Sequence, residues 1–378
     1  MPKSRPQPDV LVIGDDPSGF LAAALLRDSG VQNVLHCTLG ASAPDDRLVT
    51  INPALFDLHA LVKPLRRKLD LSPIYGLRFL ADDPAVQSES AGKSISAYIA
   101  SARQIRAAMR ELARGSKVEL VTCKSFQVVR IIDSAVEVQL DSRRVTPRIL
   151  IAANDLPQQA RAALGLARSW ERGVVHRYTF IAIKSKRAPS SEPKALMPLS
   201  LDLNGTLCWA WLLRGTDAVQ VAIEQPLETL SSNPAEHMLS HWLKVLQAHG
   251  LVTQDAPLDL SGARCIDLPF AGALTQEGLG NRTLLVGPAG GFVTACAEDV
   301  FPGCWSSVCA AEVARKALKE RHVQDALQSY RHRWGATLGD YLRGPQQNLR
   351  FLLPLIYRNK SMTARLAEAI LSGRSVVR

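Results

Sequence analysis

Asp9-Val10-Leu11-Val12-Ile13, then Gly14-Asp15-Asp16-Pro17-Ser18-Gly19, then Phe20 to Ser29: this stretch decides the fold. A short β run, a glycine-bearing turn and a helical run in that order read as the opening of a dinucleotide-binding βαβ unit. Gly30 stands where a helix C-terminal glycine is wanted, and Val34-Leu35-His36-Cys37 reads as the second parallel strand. The first unit therefore covers about residues 8–38.

Further along, Ile95 to Arg114 has helical periodicity, with Ile99, Ile105, Met109 and Leu112 as candidate buried positions. Val118 to Cys123, Phe126 to Ile132, Val136 to Leu140 and Ile149 to Ala152 read as short strands of a meander. A second β-rich block follows at Val174 to Lys184, Ala195 to Leu203, Thr206 to Leu213 and Ala218 to Glu224, with a helix over Pro234 to His249. The chain then returns to a buried strand, Thr283-Leu284-Leu285-Val286, running into Gly287-Pro288-Ala289-Gly290-Gly291-Phe292 and a helix from Trp305 to Lys319. A dinucleotide domain interrupted by a β domain accounts for this order.

Composition narrows the class. With 378 residues, 47% hydrophobic and 21% charged, the chain has the make-up of a globular protein with a sizeable core. Apolar runs such as Phe20 to Leu26 fall short of a membrane span, and the polar Met1 to Pro8 does not read as a signal peptide. Seven Cys without a C-x-x-C pair suggest neither a disulfide framework nor a zinc site, so the expected home is the cytoplasm. The net charge of +10 gathers at the end: from Tyr341 to Arg378 there are seven basic residues against Glu368. Phe351, Leu352, Leu353, Leu355, Ile356 and Tyr357 share that segment, which suits a helical cap or a peripheral membrane contact, and not a nucleic-acid groove.

These segments together resemble the flavin monooxygenase, geranylgeranyl reductase and flavin halogenase superfamily, whose fold is similar to that of p-hydroxybenzoate hydroxylase. Gly14, Pro17, Ser18 and Gly19 match its opening G-x-G-P-x-G, and Gly287, Ala289, Gly291 and Phe292 match its late G-D-A-A-G-F. Arg148 to Leu166 resembles the middle G-A-D-G segment with its trailing A-L-G, and Trp209-Ala210-Trp211-Leu212-Leu213 the W-x-W-x-I-P strand. The resemblance implies an α/β fold with four parts. Residues 1–170 form the first part of a Rossmann-like FAD-binding domain, including a β-meander, and 171–280 an antiparallel β substrate domain. Residues 281–320 form the second part of the FAD-binding domain, and 321–378 a C-terminal helical region. It also implies FAD as cofactor, with NAD(P)H as a candidate electron donor.

On that resemblance the cofactor-binding set is Gly14, Pro17, Ser18, Gly19, Thr38, Arg47, Gly287, Ala289, Gly290, Gly291 and Phe292. For the glycines the plainer alternative is that they only permit tight turns, and for Arg47 that it pairs with Asp45 or Asp46. Trp209 and Trp211 are candidate substrate-pocket residues, against a role in the core. Glu298 and Asp299, before the helix near Trp305, are candidate acid or base groups, against a role in favouring a helix N-terminus. Cys296, Cys304 and Cys309 flank the late motif and read as small core residues, while His237 and His241 read as a surface pair.

Five departures bear on chemistry. Asp16 stands where a second glycine would let the backbone approach a pyrophosphate, and like charges at about 4 Å cost about 4 kcal/mol before solvent relief. Asp16 must point away, bind a cation or weaken the ligand. Cys37 or Thr38 replaces the acid expected at the end of the second strand, and Pro288 replaces the acid expected against the ribitol. Asn154-Asp155 replaces Asp-Gly, and Glu298-Asp299-Val300 the G-E-G loop. The leading expectation is a divergent FAD-dependent oxidoreductase, of reductase or monooxygenase type, acting on an apolar or aromatic small molecule. The alternatives are a flavin-fold protein that binds or interacts without redox chemistry, and a membrane-associated lipid reductase.

Overall fold

β1 (Val10–Ile13) buries all of its side chains, as a strand covered on both faces requires. The computed structural model describes residues 7–40, 45–154, 156–166, 175–183, 194–253, 260–269, 278–343 and 349–373. From β1 the chain turns into α1 (Pro17–Asp28) and returns as β2 (Val34–Leu39), parallel to β1 with Val10 opposite Val34. β8 (Glu119–Cys123), β12 (Ile149–Ala152) and β19 (Thr283–Leu285) complete the parallel set, and β18 (Leu279–Gly280) pairs antiparallel at the edge. The order is β18-β19-β12-β1-β2-β8.

One side of this sheet is covered by α1, α2 (Ala102–Gly115) and α5 (Val300–Ala317), packed through Phe20, Ile105, Met109 and Phe301. On the other side lies a three-stranded meander of β9 (Phe126–Ile132), β10 (Ala135–Leu140) and β11 (Arg143–Val145), with α3 (Gln158–Ala163) beside it. The expected meander is thus corrected at both ends, since β8 and β12 are parallel strands of the first sheet. For β12 the reason is visible in its uniformly apolar run, which only a doubly covered strand tolerates.

The second large sheet has the order β17-β13-β16-β15-β14-β5-β6. It comprises β17 (Arg264–Pro269), β13 (Val175–Ile183), β16 (Val219–Pro226), β15 (Thr206–Arg214), β14 (Leu196–Leu203), β5 (Gly76–Leu80) and β6 (Gln87–Ala91). β5 runs parallel to β14, so the sheet is mixed and not purely antiparallel, and it recruits two strands from before residue 95, of which β6 carries no apolar pattern. α4 (Ala235–Ala248) seals its outer face with Trp242. A small sheet of β3 (Leu48–Ile51), β7 (Ala97–Ser101) and β4 (Ser72–Ile74) stands between the two large ones, and β7 takes the first residues of the helix expected from Ile95.

Gly76 shows how closely the chain is drawn in at β5. A Cβ there would lie 1.7 Å from the carbonyl oxygen of Ser90 in β6. Gly76→Ala is expected to lower unfolding stability by about 1–3 kcal/mol through forced separation of the strands, read as a lower urea midpoint. An unchanged midpoint would show that the hairpin yields freely.

α6 (Val323–Leu327), α7 (Ser329–Arg343), α8 (Leu349–Ile356) and α9 (Lys360–Ser372) close the chain, and α8 and α9 pack on the inner face of the mixed sheet. Phe351 and Leu355, one helical turn apart on α8, are 80% and 44% exposed, so the expected C-terminal cap also keeps an apolar outer edge. Of the basic residues expected there, Arg374 and Arg378 lie outside the described residues. No helix among the described residues is long and apolar enough to cross a membrane.

Candidate functional site

The candidate nucleotide site lies at the turn after β1. Gly14 has φ +129°, and its carbonyl accepts a hydrogen bond from His36 Nε2 at 2.6 Å. That bond requires the proton on Nε2, and burial lowers the His36 pKa to about 4, so the ring is neutral under the turn. Asn154 Oδ1 accepts from the main-chain N–H groups of Asp15 and Asp16, the latter at 3.1 Å.

Asp16 is the N-cap of α1. Its Oδ1 accepts the Ser18 N–H at 2.9 Å and the Ser18 hydroxyl as well. Pro17 has no N–H, and the Gly19 N–H is bonded to the Asp16 carbonyl at 3.0 Å. The first turn of α1 therefore offers a pyrophosphate no unpartnered main-chain donor. Asp16 points inward, onto the helix, where burial and then Asp299 raise its pKa to about 7, against the opposing Ser18 hydrogen bonds and Arg47.

The late glycine turn packs directly on this one. A Cβ at Gly287 would come within 2.2 Å of Ser18 Oγ and 2.9 Å of Asp16 Oδ1, so only glycine lets the two turns meet. The Gly287 N–H donates to Ser306 Oγ at 3.0 Å, and Ser307 Oγ donates to the Ser18 carbonyl at 2.7 Å. Ala289, Gly290 and Gly291 are buried in the same turn, and Phe292 packs edge-on to Trp334 at 5.5 Å. At the end of β2, Thr38 Oγ1 lies 3.0 Å from Thr122 Oγ1, and Cys37 Sγ 2.7 Å from Cys123 Sγ. Both side chains turn to β8.

Arg47 holds the next position. Its guanidinium bonds Asp45 at 2.9 and 3.0 Å and reaches Asp299 at 3.4 Å, while its buried Nη1 has no partner among the described residues. Burial opposes that charge, and the two carboxylates more than offset it, leaving Arg47 firmly protonated. Burial likewise raises Asp299, with Arg47 pulling the other way. Pairing with Asp45 was the plainer alternative for Arg47, and the contact with Asp299 adds to it.

Glu298 and Asp299 separate. Asp299 borders a cleft of about 290 Å³ between the first sheet and the mixed sheet, together with Arg47, Pro288, Phe180, Ile266 and Leu268. Glu298 faces a void of only about 10 Å³ with Asn52, Cys296 and Tyr341. It accepts from the Phe301 N–H at 3.0 Å and the Tyr341 hydroxyl at 2.8 Å. Burial raises its pKa to about 8 against those two bonds. Trp209 and Trp211 are buried on the inner face of the mixed sheet, 5% and 2% exposed, and Trp211 meets Tyr178 edge-on at 6.3 Å. The wall of the cleft is built by β13 and β17 instead.

Cys296, Cys304 and Cys309 are buried, and His241 pairs with Asp82 at 2.9 Å. Asp155 lies outside the described residues. Sequence reasoning missed His36 and Asn154 as builders of the turn. It also missed a buried pair, His176 Nδ1 to Glu224 Oε1 at 2.8 Å, on the same sheet face as Tyr178 and Trp209. The available signal was a glutamate in Val219-Gln220-Val221-Ala222-Ile223-Glu224, a strand run whose other residues apart from Gln220 are apolar.

No family model matches the chain, and no curated protein matches it. Among solved structures, a geranylgeranyl bacteriochlorophyll reductase-like protein from Thermoplasma acidophilum superposes with TM-score 0.65 at 13% identity, covering 98% of this chain and 92% of that one. A variant of halogenase PltM in complex with FAD gives TM-score 0.67 at 16% identity, covering 97% of this chain and 77% of that one. PqsL of P. aeruginosa, in complex with 2-aminobenzoylacetate, gives 0.66 at 15% identity and covers 97% of each. The chain shares the fold of these three proteins, as the order of its motifs implies.

Proposed function

We propose that this protein is a divergent flavin-dependent oxidoreductase, of reductase or monooxygenase type, with FAD in the cleft and an apolar or aromatic small molecule as substrate. Arg47 carries the reading: a buried guanidinium nitrogen without a partner among the described residues, in a cleft also lined by Phe180, Ile266 and Leu268. A cleft that offers both guanidinium groups and apolar side chains suits a ligand that is anionic in one part and flat and apolar in another. The three neighbours, one holding FAD, supply the fold-level support.

The usual seat of the diphosphate is filled by Asp16 and Asn154, so the groups left to meet its charge are the side chains of Arg47, Arg106 and Arg264, all of which border the cleft. FAD supplies hydride or oxygen chemistry when bound. The chain's own part is to hold the cofactor on Arg47, to exclude water with the β13 and β17 wall, and to fix the Arg47 guanidinium through Asp45 and Asp299. NAD(P)H is the candidate electron donor.

A second reading, a flavin-fold binding protein without redox chemistry, is favoured by Asp16 in the diphosphate seat and Pro288 in the ribitol position. The visible spectrum separates the two. Protein purified yellow, or stabilised by about 2.7 kcal/mol when FAD is added at a hundredfold excess over its Kd, supports the first, and Arg47→Met is expected to abolish either signal. Colourless protein with no thermal response to FAD overturns it in favour of the second.

A further inference from the structure

We propose that Cys37 and Cys123 are a disulfide-forming pair, which a peroxide closes into a covalent staple between β2 and β8. This site goes beyond the flavin reading and does not depend on it. The register sets Cys37 opposite Val121 and Leu39 opposite Cys123. The two cysteines are therefore diagonal neighbours on one face of the sheet, since side chains two residues apart along a strand share a face. Their sulfurs stand 2.7 Å apart, inside the roughly 3.5–4.0 Å at which even non-bonded carbon atoms rest.

The backbone holds this meeting in place. The Cys37 carbonyl accepts the Gly14 N–H at 3.0 Å, and the Cys123 carbonyl accepts the Gly40 N–H at 2.7 Å. Beyond Cys123, Asp141 Oδ1 accepts the main-chain N–H groups of Lys124 at 2.9 Å and Ser125 at 2.8 Å, which fixes the chain where β8 ends. Both thiols are buried in the core between the first sheet and the meander, among Leu35, Phe126 and Val138. Burial raises the pKa of each, for Cys37 with Cys123 as the next cause, so in the closed sheet neither is an anion at neutral pH.

Access comes from the strand. β8 is last in the order of the first sheet and pairs with β2 alone among the described residues, so it can open locally at less cost than a strand held on both sides. Opening bares Cys123, whose thiolate attacks one oxygen of hydrogen peroxide. The O–O bond breaks, Cys123 becomes a sulfenic acid, and the hydroxide released leaves as water with the proton that the thiol gave up. On reclosing, the Cys37 sulfur attacks the Cys123 sulfur: the S–O bond breaks, the S–S bond forms, and the hydroxyl leaves as a second water with the Cys37 proton. The two thiols lose two electrons and the peroxide gains them. The bond joins positions 86 residues apart, so it constrains the unfolded chain over a long loop and pins the edge strand in the folded one.

The test uses the full chain with the exposed Cys265 replaced by serine, reduced, freed of reductant and treated with hydrogen peroxide under native conditions. Alkylation in denaturant, intact mass and peptide mapping then count the thiols. The expected result is the loss of two thiols and two hydrogens, with one peptide pair joined through Cys37 and Cys123. The oxidised protein is expected to melt about 5 °C or more above the reduced protein and to exchange the β8 amides more slowly, and dithiothreitol is expected to reverse both changes. Cys37→Ala should show neither bridge nor shift, with Cys123 carried to the sulfinic acid instead. Mapping of the two redox forms of one protein decides the matter even where that variant folds poorly. The proposal is overturned if both thiols are still alkylated after peroxide treatment, if Cys123 passes to the sulfinic acid without bridging while Cys37 is present, or if the bridge forms only in denaturant.

Discussion

Replacing Asp16 with glycine is expected to raise FAD affinity at pH 8 by at least tenfold. In the parent protein the Asp16 carboxylate occupies the first turn of α1 and takes the Ser18 N–H and hydroxyl. A diphosphate brought to the same place would meet a like charge, at a cost of about 4 kcal/mol before solvent relief, and the recovery of a third of that is tenfold in Kd. Asp16→Gly removes both the charge and the plug, and a glycine N-cap costs only a few tenths of a kcal/mol in helix stability. Asp16→Asn keeps the cap without the charge, so its affinity should fall between those of the parent and the glycine variant. The sign of the pH dependence follows from the raised pKa of about 7: as pH falls from 8 to 6 the parent carboxyl gains a proton and its affinity for FAD rises. The glycine variant lacks that gain. Fluorescence quenching of FAD at several pH values measures both effects. If the glycine variant binds no more tightly than the parent, Asp16 is not what excludes the diphosphate.

The strand, turn and helix from Asp9 to Ser29 were legible because each signal in them is local: a buried apolar run, a glycine with positive φ, a proline at the first helical position. The four family-like segments were legible as an order. The mixed sheet was legible only in part, because β6 reads Gln-Ser-Glu-Ser-Ala and β5 finds its other neighbour more than a hundred residues later, in β14. Pairing at that distance leaves no periodic trace at either strand. In the site, the substitution of Asp16 was visible, yet its direction was not. Asp followed by Pro is also a cap followed by the favoured first helical residue, and the capping reading is the one the chain adopts. Asn154 was read as a lost Asp-Gly turn, whereas its side-chain oxygen holds two N–H groups of a loop about 140 residues earlier in the chain.

Glu298→Gln is expected to stabilise the protein at alkaline pH and to leave it nearly unchanged at pH 5. The carboxyl is buried, and its pKa is raised from 4.5 to about 8. A group raised in this way contributes its full stability below the unfolded pKa and loses it as pH climbs through the folded one, because the unfolded chain ionises first. The loss accumulates between about pH 4.5 and pH 8 and is on the order of 3–5 kcal/mol when complete. Glutamine keeps the acceptor for the Phe301 N–H and offers an N–H to the Tyr341 oxygen, so both contacts survive without an ionisable group. The melting temperature of the variant minus that of the parent should therefore be small at pH 5, grow to several degrees by pH 8 and level off above it. His36 supplies the contrast, since its pKa lowered to about 4 costs stability only on the acid side of pH 6.5 and acts in parent and variant alike. A difference that stays flat from pH 5 to pH 9 would mean that Glu298 ionises freely in the folded state. In that event the space behind the late glycine turn holds enough water to solvate a carboxylate, and the packing of Cys296 and Tyr341 around it is looser than a void of about 10 Å³ allows.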